Sequence, residues 1–387
     1  MADNASLGAA RNAKNNEFYT QYSDIEAEMN AYVEYDPDVF RGKTILLPCD
    51  DPEWSNFTKY FAANFERFGL KKLISTSYAK GAGNKQLSLF EMESPIYNEE
   101  LHDTHGKLFT LTHDTDGSGS VDEDDIEFSG YLIGDGDFRS AEVCALRDEA
   151  DVIITNPPFS LFNNFIAWLI ESQKLFIIIG NFNDATNLEN FPLIQDNRMW
   201  LGTTTPKSFL QPDGTFKSFG NTIWYTNVEH GLRHEKLVLM TARENLKYNK
   251  KLKKKFQENY HVTDYPHYDN YDAIEVPFID AIPSDYEGVM GVPGSFLSRY
   301  NPEQFEIVGT VSAAGNNGSL NLGKDYSQYI GYKQDGTKNG RTGSTFGKVP
   351  VLQKDDGVHP YYEKDGVRLQ ALFPRIFIRH KKAGDNQ

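Results

Sequence analysis

Cysteine is nearly absent, with Cys49 and Cys144 the two in 387 residues. That excludes a disulfide framework and a cysteine zinc site, and fits two apolar fillers in a reducing compartment. Long apolar runs are missing as well. No stretch approaches the ~20 residues that cross a bilayer, so no membrane partner is expected. Residues 1–16 are small and polar without an apolar core, and read as a flexible tail, not a secretory signal. Cytoplasmic residence is the resulting expectation. Positive charge is in deficit, 39 Lys and Arg against 55 Asp and Glu for a net of −16. This excludes a uniformly basic surface, although a polyanion requires only a local positive field. Arg243, Lys247, Lys250, Lys251, Lys253, Lys254 and Lys255 cluster in a helix-like stretch. Lys250, Lys251, Lys253 and Lys254 are the candidate phosphate contacts, and a solvated helix face is the equal alternative. No Ser/His/Asp order, P-loop or His-rich metal spacing occurs, which leaves hydrolase and kinase readings without support.

What is present is size and a repeating pattern. A 387-residue chain with 39% hydrophobic and 13% aromatic content holds one large or two ordinary globular domains. From Gly42 to Gly180 apolar strands alternate with helical segments, as in a mostly parallel, doubly wound α/β sheet. Strands are expected at Thr44–Cys49, Lys72–Ser77, Val152–Thr155 and Leu175–Ile179, and helices at Phe57–Phe68 and Phe162–Glu171. Past about Trp200 the texture shifts to aromatics, Gly/Asn turns and short β-prone runs at Asn221–Thr226, Phe305–Val311 and Phe373–Arg379. This marks a second region.

One strand ends in Asn156-Pro157-Pro158-Phe159. The residue types suit an exocyclic amine of a nucleobase, whose lone pair is delocalised into the ring and must be drawn out before it can attack. An Asn oxygen and the carbonyl of the following Pro can each accept one amine N–H, favouring tetrahedral nitrogen and aiming its lone pair. Two prolines stiffen the loop, and Phe159 offers a face for an extruded base. The alternative is a plain strand end, since proline cannot donate to a ladder. Asp50-Asp51-Pro52 closes another strand, and ligands in such sheets bind where strands end.

Further constellations admit two readings each. Asn16–Tyr22 precedes a helical stretch, Ile25–Tyr32, so it suits either a carboxylate at a helix N-terminus or a hydrophobic staple. Gly134-Asp135-Gly136-Asp137-Phe138 suits an adenine, with Asp137 accepting from its amine and Phe138 packing on its face, or a turn. Trp224 or Tyr225 is placed as a second slab opposite Phe159, with core packing for the other. Asp114–Asp125 fills a calcium-loop pattern at Asp114, Asp116, Ser118, Gly119, Val121 and Asp125. Position 12 is Asp and not the longer Glu, and a strand, Leu108–Thr112, precedes it where a helix would enter; an acidic hairpin is the alternative.

Taken together, these residues resemble the EcoRI-type adenine-specific DNA methyltransferases over nearly the whole chain. The resemblance is carried by Asn16–Tyr22, Leu47–Pro52 with Ser55-Asn56-Phe57, Gly136–Ser140, Thr155–Ser160, Tyr300–Phe305 and Arg375–Arg379, in a gamma-like motif order. It implies a Rossmann-like sheet using S-adenosyl-L-methionine, with an additional C-terminal target-recognition region. It also implies that Asn156, Pro157, Pro158 and Phe159 hold a flipped adenine of double-stranded DNA. The implied cofactor set is Phe18, Tyr19, Thr20, Pro48, Asp50, Asp51, Asp137 and Phe138, and no metal takes part in catalysis. The expected division is a tail over 1–16, a cofactor-binding and catalytic domain over 17–200, and over 201–387 the end of the catalytic sheet plus the DNA-reading region. A monomer is expected, with a cognate restriction endonuclease as a further partner. Two departures stand out: Pro-Cys-Asp-Asp-Pro replaces a glycine-rich first loop, and Ser75-Thr76-Ser77-Tyr78 lacks the acid that commonly holds ribose hydroxyls. Alternatives are methylation of cytosine N4, RNA or protein glutamine, or a non-catalytic DNA-binding or calcium-responsive protein.

Overall fold

The computed structural model describes residues 19–50, 55–79, 97–210, 215–311, 320–353 and 360–381. The chain divides into two compact units, one of residues 1–184 and 199–231, the other of 185–198 and 232–387. Among the described residues no helix is long and apolar enough to cross a membrane.

The first unit is built on an eight-stranded sheet. Its strands are β2 (Thr44–Leu47), β3 (Lys72–Thr76), β4 (Lys107–Leu111), β5 (Glu127–Tyr131), β6 (Val152–Thr155), β7 (Leu175–Asn181), β8 (Trp200–Leu201) and β11 (Thr222–Thr226), in the order β5-β4-β3-β2-β6-β7-β11-β8. Strands β2 and β6 are buried at every position, which explains their unbroken apolar sequences: strands covered on both faces do not alternate. The pairs β2–β3, β2–β6 and β6–β7 are parallel, whereas β4 and β5 on one side and β11 and β8 on the other run antiparallel. The expected mostly parallel sheet is therefore a mixed one with a parallel centre.

On one face lie α1 (Tyr22–Tyr35), α2 (Asn56–Ala63) and α3 (Phe65–Phe68). Their Ile25, Met29, Phe57, Phe61 and Phe68 share a core with Ile45, Leu47, Ile154 and Ile177 of the sheet. The helix expected at 57–68 breaks at Asn64, whose Nδ2 donates to the Tyr60 carbonyl at 2.9 Å. Helix α4 (Ala141–Glu149) leads into β6, and α5 (Phe162–Ser172) joins β6 to β7. A second, three-stranded sheet, β1 (Tyr19–Thr20), β9 (Ser208–Leu210) and β10 (Phe216–Ser218), ties the start of the described chain to this unit. Glu28 on α1 is fully buried and accepts bonds from the Tyr32 hydroxyl and from the N–H and hydroxyl groups of Thr203 and Thr204. Burial pushes this carboxyl up, and those donors pull it back down.

Trp224 and Tyr225 require a correction. Strand β11 has a neighbour on each side and both faces covered, so both residues are 0% exposed. Trp224 packs edge-on against Phe57, and Tyr225 packs on Phe162 while donating its hydroxyl to the Asn181 carbonyl at 2.6 Å. Neither ring has a face to offer a base.

The second unit contains a four-stranded sheet, β12 (Ile274–Glu275), β13 (Met290–Pro293), β20 (Arg375–His380) and β14 (Phe305–Thr310), in that order. It also contains a five-stranded sheet of β15 (Ile330–Tyr332), β16 (Lys338–Thr342), β17 (Val351–Gln353), β18 (Tyr361–Lys364) and β19 (Val367–Ala371). Helix α6 (Phe191–Gln195) is held to β14 by Gln195 Nε2, which donates to the carbonyls of Ile307 and Val308. Helices α7 (Ala242–Tyr248) and α8 (Lys250–Lys254) carry the basic cluster.

Candidate active site

Strand β2 lies between β3 on one side and β6 on the other, so the chain order reverses between β2 and β6. A crevice opens at the carboxyl end of such a pair. Asn156-Pro157-Pro158 leaves β6 at that end and passes into a 3₁₀ turn, Phe159–Leu161, that starts α5. Pro157 is buried and Asn156, Pro158 and Phe159 are half-buried, so two rigid φ angles anchor a partly accessible loop. Gly180 helps seat it: a Cβ there would collide with the ring of Phe162, the first residue of α5. The Phe159 ring meets Phe219 edge-on at 5.8 Å and 81°. Phe219 is in turn edge-on to buried Phe209 at 5.5 Å, with Lys217 Nζ 5.0 Å from its centroid. Phe219 was not among the residues expected from the sequence. The aromatic–basic run Phe216-Lys217-Ser218-Phe219 just before β11 was its available signal.

The loop after β2 meets the end of β6 through Asp50. Asp50 Oδ1 accepts the Ser55 hydroxyl at 2.9 Å, and its Oδ2 lies 2.6 Å from the Thr155 hydroxyl, which is also 2.7 Å from the Pro48 carbonyl. The Asp50 amide donates to the Thr76 carbonyl at 2.8 Å, and its own carbonyl accepts from Ser75 Oγ. Ser55 also caps α2 by accepting the Phe57 amide. Beside this network Cys49 takes φ 67°, a left-handed conformation that usually selects glycine. Where a glycine-rich turn is usual, a cysteine turn is braced by hydroxyls.

Asp137 is half-buried, with Oδ1 accepting the amide and Nε of Arg139 and Oδ2 accepting its Nη2 at 2.5 Å. The Arg139 guanidinium holds this carboxyl below the usual carboxylate range. Phe138, expected to pack on a purine, is 2% exposed and buried against Phe165 and Trp168. Tyr78 instead stands 45% exposed just past β3, where burial and the charges of Asp135 and Asp137 push its phenol up. Gly136 (φ 84°) makes the approach possible, because any Cβ there would strike the Ser77 carbonyl.

Thr20 is 2% exposed, and its hydroxyl has no hydrogen-bond partner among the described residues. Its carbonyl accepts Asn56 Nδ2 at 2.7 Å, which brings it close to the Asp50 network. Tyr19 beside it is half-buried. Helix α1 starts immediately after, and among the described residues its N-cap Gln21 makes no side-chain cap bond. A cleft of about 500 Å³ there is lined by Gln21, Ser23, Asp24, Thr204, Thr205, Lys207 and Ser208. Phe18 and Asp51 lie outside the described residues.

The acidic segment folds as a loop between β4 and β5. Asp125 Oδ1 accepts the amides of Thr115 and Asp116 and the Thr115 hydroxyl, and its Oδ2 accepts the Asp122 amide. Those donors, led by the Thr115 amide, lower the carboxyl to about 2. Asp114 accepts the amides of Gly117 and Gly119, while Ser118 points its hydroxyl at the Ser120 carbonyl. Carboxylate oxygens of Asp114, Asp116 and Asp125 lie within 4.8 Å of one another. In the second unit Lys250, Lys251, Lys253 and Lys254 are exposed around buried Leu252, with Lys251 Nζ 4.1 Å from the Phe278 centroid.

Comparison with known proteins places the chain among relatives. It matches the family described as adenine-specific methyltransferase EcoRI over residues 6–381. It is 40% identical over 326 residues to the Type II methyltransferase M.EcoRI of Escherichia coli, covering 79% of this chain and 89% of that protein. Identity is 34% over 305 residues to the Type II methyltransferase M.MpnI of Mycoplasma pneumoniae, covering 77% and 83%. It is 33% over 319 residues to the Type II methyltransferase M.MgeORF184P of Mycoplasma genitalium, covering 77% and 84%. No solved structure matches.

Proposed function

The chain belongs to the adenine-specific methyltransferase EcoRI family, and from that membership we propose that it moves a methyl group from S-adenosylmethionine to N6 of an adenine flipped out of duplex DNA. The observation that carries this is the Asn156–Phe159 loop at the sheet's switch point, within one hydroxyl bridge of the loop after β2. In this reading the first unit is a Rossmann-like methyltransferase domain and the second unit reads DNA.

S-adenosylmethionine supplies an electrophilic methyl on a sulfonium. The buried Thr20 hydroxyl, the uncapped start of α1 and Lys207 in the adjoining cleft suit the carboxylate of its methionine end. Asp137, kept ionised by Arg139, has oxygen lone pairs left to accept an adenine amine, and exposed Tyr78 supplies the aromatic surface beside it. Asn156 and the Pro157 carbonyl accept the N–H bonds of the target amine, freeing its lone pair for in-line attack. Phe159 and Phe219 form the stacking wall for the extruded base. Lys250, Lys251, Lys253 and Lys254 contact phosphates.

Incubation with labelled S-adenosylmethionine and unmethylated genomic DNA, followed by nucleoside mass spectrometry and modification-sensitive sequencing, tests the assignment. N6-methyladenine at one short motif is expected. N4-methylcytosine, or label in RNA or protein alone, would overturn it. Stacking of a base on an aromatic is worth about 1–3 kcal/mol, so Phe159→Ala and Phe219→Ala should each slow transfer roughly tenfold and weaken the fluorescence rise of 2-aminopurine at the target position. Unchanged fluorescence and rate in both variants would remove the aromatic wall from the mechanism.

A further inference from the structure

We propose that Thr155 is a positioning residue whose hydroxyl latches the acceptor loop to the donor loop and so sets the distance between amine and methyl. The proposal rests on the methyltransferase reading, in which the loop after β2 serves the donor and the loop after β6 the acceptor.

The latch stands where the backbone ladder gives out. Strands β2 and β6 pair at Ile45 with Val152 and Leu46 with Ile153. Two residues on, Pro48 has no N–H to continue the ladder. The fully buried Thr155 hydroxyl takes over, a three-centre donor to the Pro48 carbonyl at 2.7 Å and Asp50 Oδ2 at 2.6 Å. It therefore spans the two strands at the point where the crevice opens between them.

Each side of the latch is rigid. Asp50 is tied to α2 through Ser55 and to β3 through Thr76 and Ser75, and Ser75 Oγ lies 3.0 Å from Thr58 Oγ1 of α2. These bonds fix the backbone next to Cys49, whose left-handed φ of 67° persists only where its surroundings over-determine it. On the other side one planar peptide separates Thr155 from Asn156, and Pro157 and Pro158 stiffen the rest of the loop. A shift of the Thr155 hydroxyl is thus passed to the Asn156 amide with little slack. Donor and acceptor must align at ~3–3.5 Å, and a misplacement of about 1 Å can cost about 10²-fold in rate. A hydroxyl that only satisfied buried polar atoms would lower stability and leave transfer at saturating donor near wild type; a latch slows the saturated chemical step itself.

The test compares wild type, Thr155→Val and Thr155→Ser on an unmethylated duplex carrying the target motif. Single-turnover methyl transfer, S-adenosylmethionine affinity by calorimetry and the thermal midpoint are measured for each. At saturating donor the Val variant should transfer at least tenfold more slowly, and its midpoint should fall as well, because two buried acceptors lose their donor. The Ser variant, which restores the hydroxyl, should recover to within about threefold of wild type. A Val variant less than tenfold slower at saturating donor, or a Ser variant as slow as Val, would overturn the latch. Thr155→Ala against Thr155→Ser repeats the comparison in the smaller side chain, so a Val variant that does not fold leaves the test in force. A wild-type enzyme that transfers no methyl to adenine would instead overturn the functional reading itself.

Discussion

Replacing Asn156 with alanine is expected to slow methyl transfer by about 10²–10³-fold at saturating donor and DNA, the order of effect seen when one pre-organised hydrogen bond is removed from a reacting centre. The side chain is half-buried at the end of β6, between fully buried Thr155 and buried Pro157, so truncation removes the amide without a large cavity. Folding should survive, and the loss should fall on the chemical step. Aspartate at this position keeps an oxygen acceptor but adds a negative charge at a partly buried site, so Asn156→Asp should be milder than Asn156→Ala. Single-turnover kinetics with the circular dichroism of each variant checks this. Alanine within tenfold of wild type, in a folded protein, would mean that the amine is activated elsewhere.

Glu275→Gln should strongly destabilise the second unit. Glu275 is fully buried on β12, where Arg375 of β20 binds its two oxygens at 2.7 and 3.0 Å. The Tyr260 hydroxyl donates to Oε1 at 2.9 Å and the Tyr268 hydroxyl donates to Oε2. Burial first and the Glu275 charge second push both phenols up, which keeps them protonated as donors. A glutamine has one oxygen for these donors and turns an NH₂ toward them, leaving the guanidinium buried without its countercharge. Breaking such a pair costs about 3–5 kcal/mol. Hydrogen exchange should show the loss in β12, β13 and β20, while Trp168, Trp200 and Trp224, described tryptophans of the first unit, report little change. Protection of β20 equal to wild type would show that the pair adds nothing to stability.

The central strands were legible because strands buried on both faces must be apolar throughout. Val152–Thr155 matched the expected bounds, and Thr44–Leu47 and Lys72–Thr76 fell within theirs. Asn156–Phe159 stands out in the sequence for a different reason, since the chemistry proposed for it requires particular atoms in sequence order. Trp224 and Tyr225 misled because Thr-Ile-Trp-Tyr-Thr gives no sign of how many neighbours its strand will have; placed between β7 and β8, both faces are buried. Phe138 misled similarly, because an aromatic next to an acid can turn into the core as readily as toward a ligand.

Local pattern was enough for an α/β chain with Asn-Pro-Pro-Phe closing one of its strands, and the motifs together resembled this family. Those properties come from short-range rules, the apolarity of a covered strand and the donor and acceptor groups of a tetrapeptide. Contacts between residues far apart in the chain decided the rest. The return of 199–231 to the first unit, the meeting of Phe159 with Phe219, and the bridge from Thr155 to Asp50 each join segments whose separation in sequence says nothing of their distance in space. Such contacts are set by the burial of whole faces, and that is a property of the assembled sheet and helices, not of any one segment.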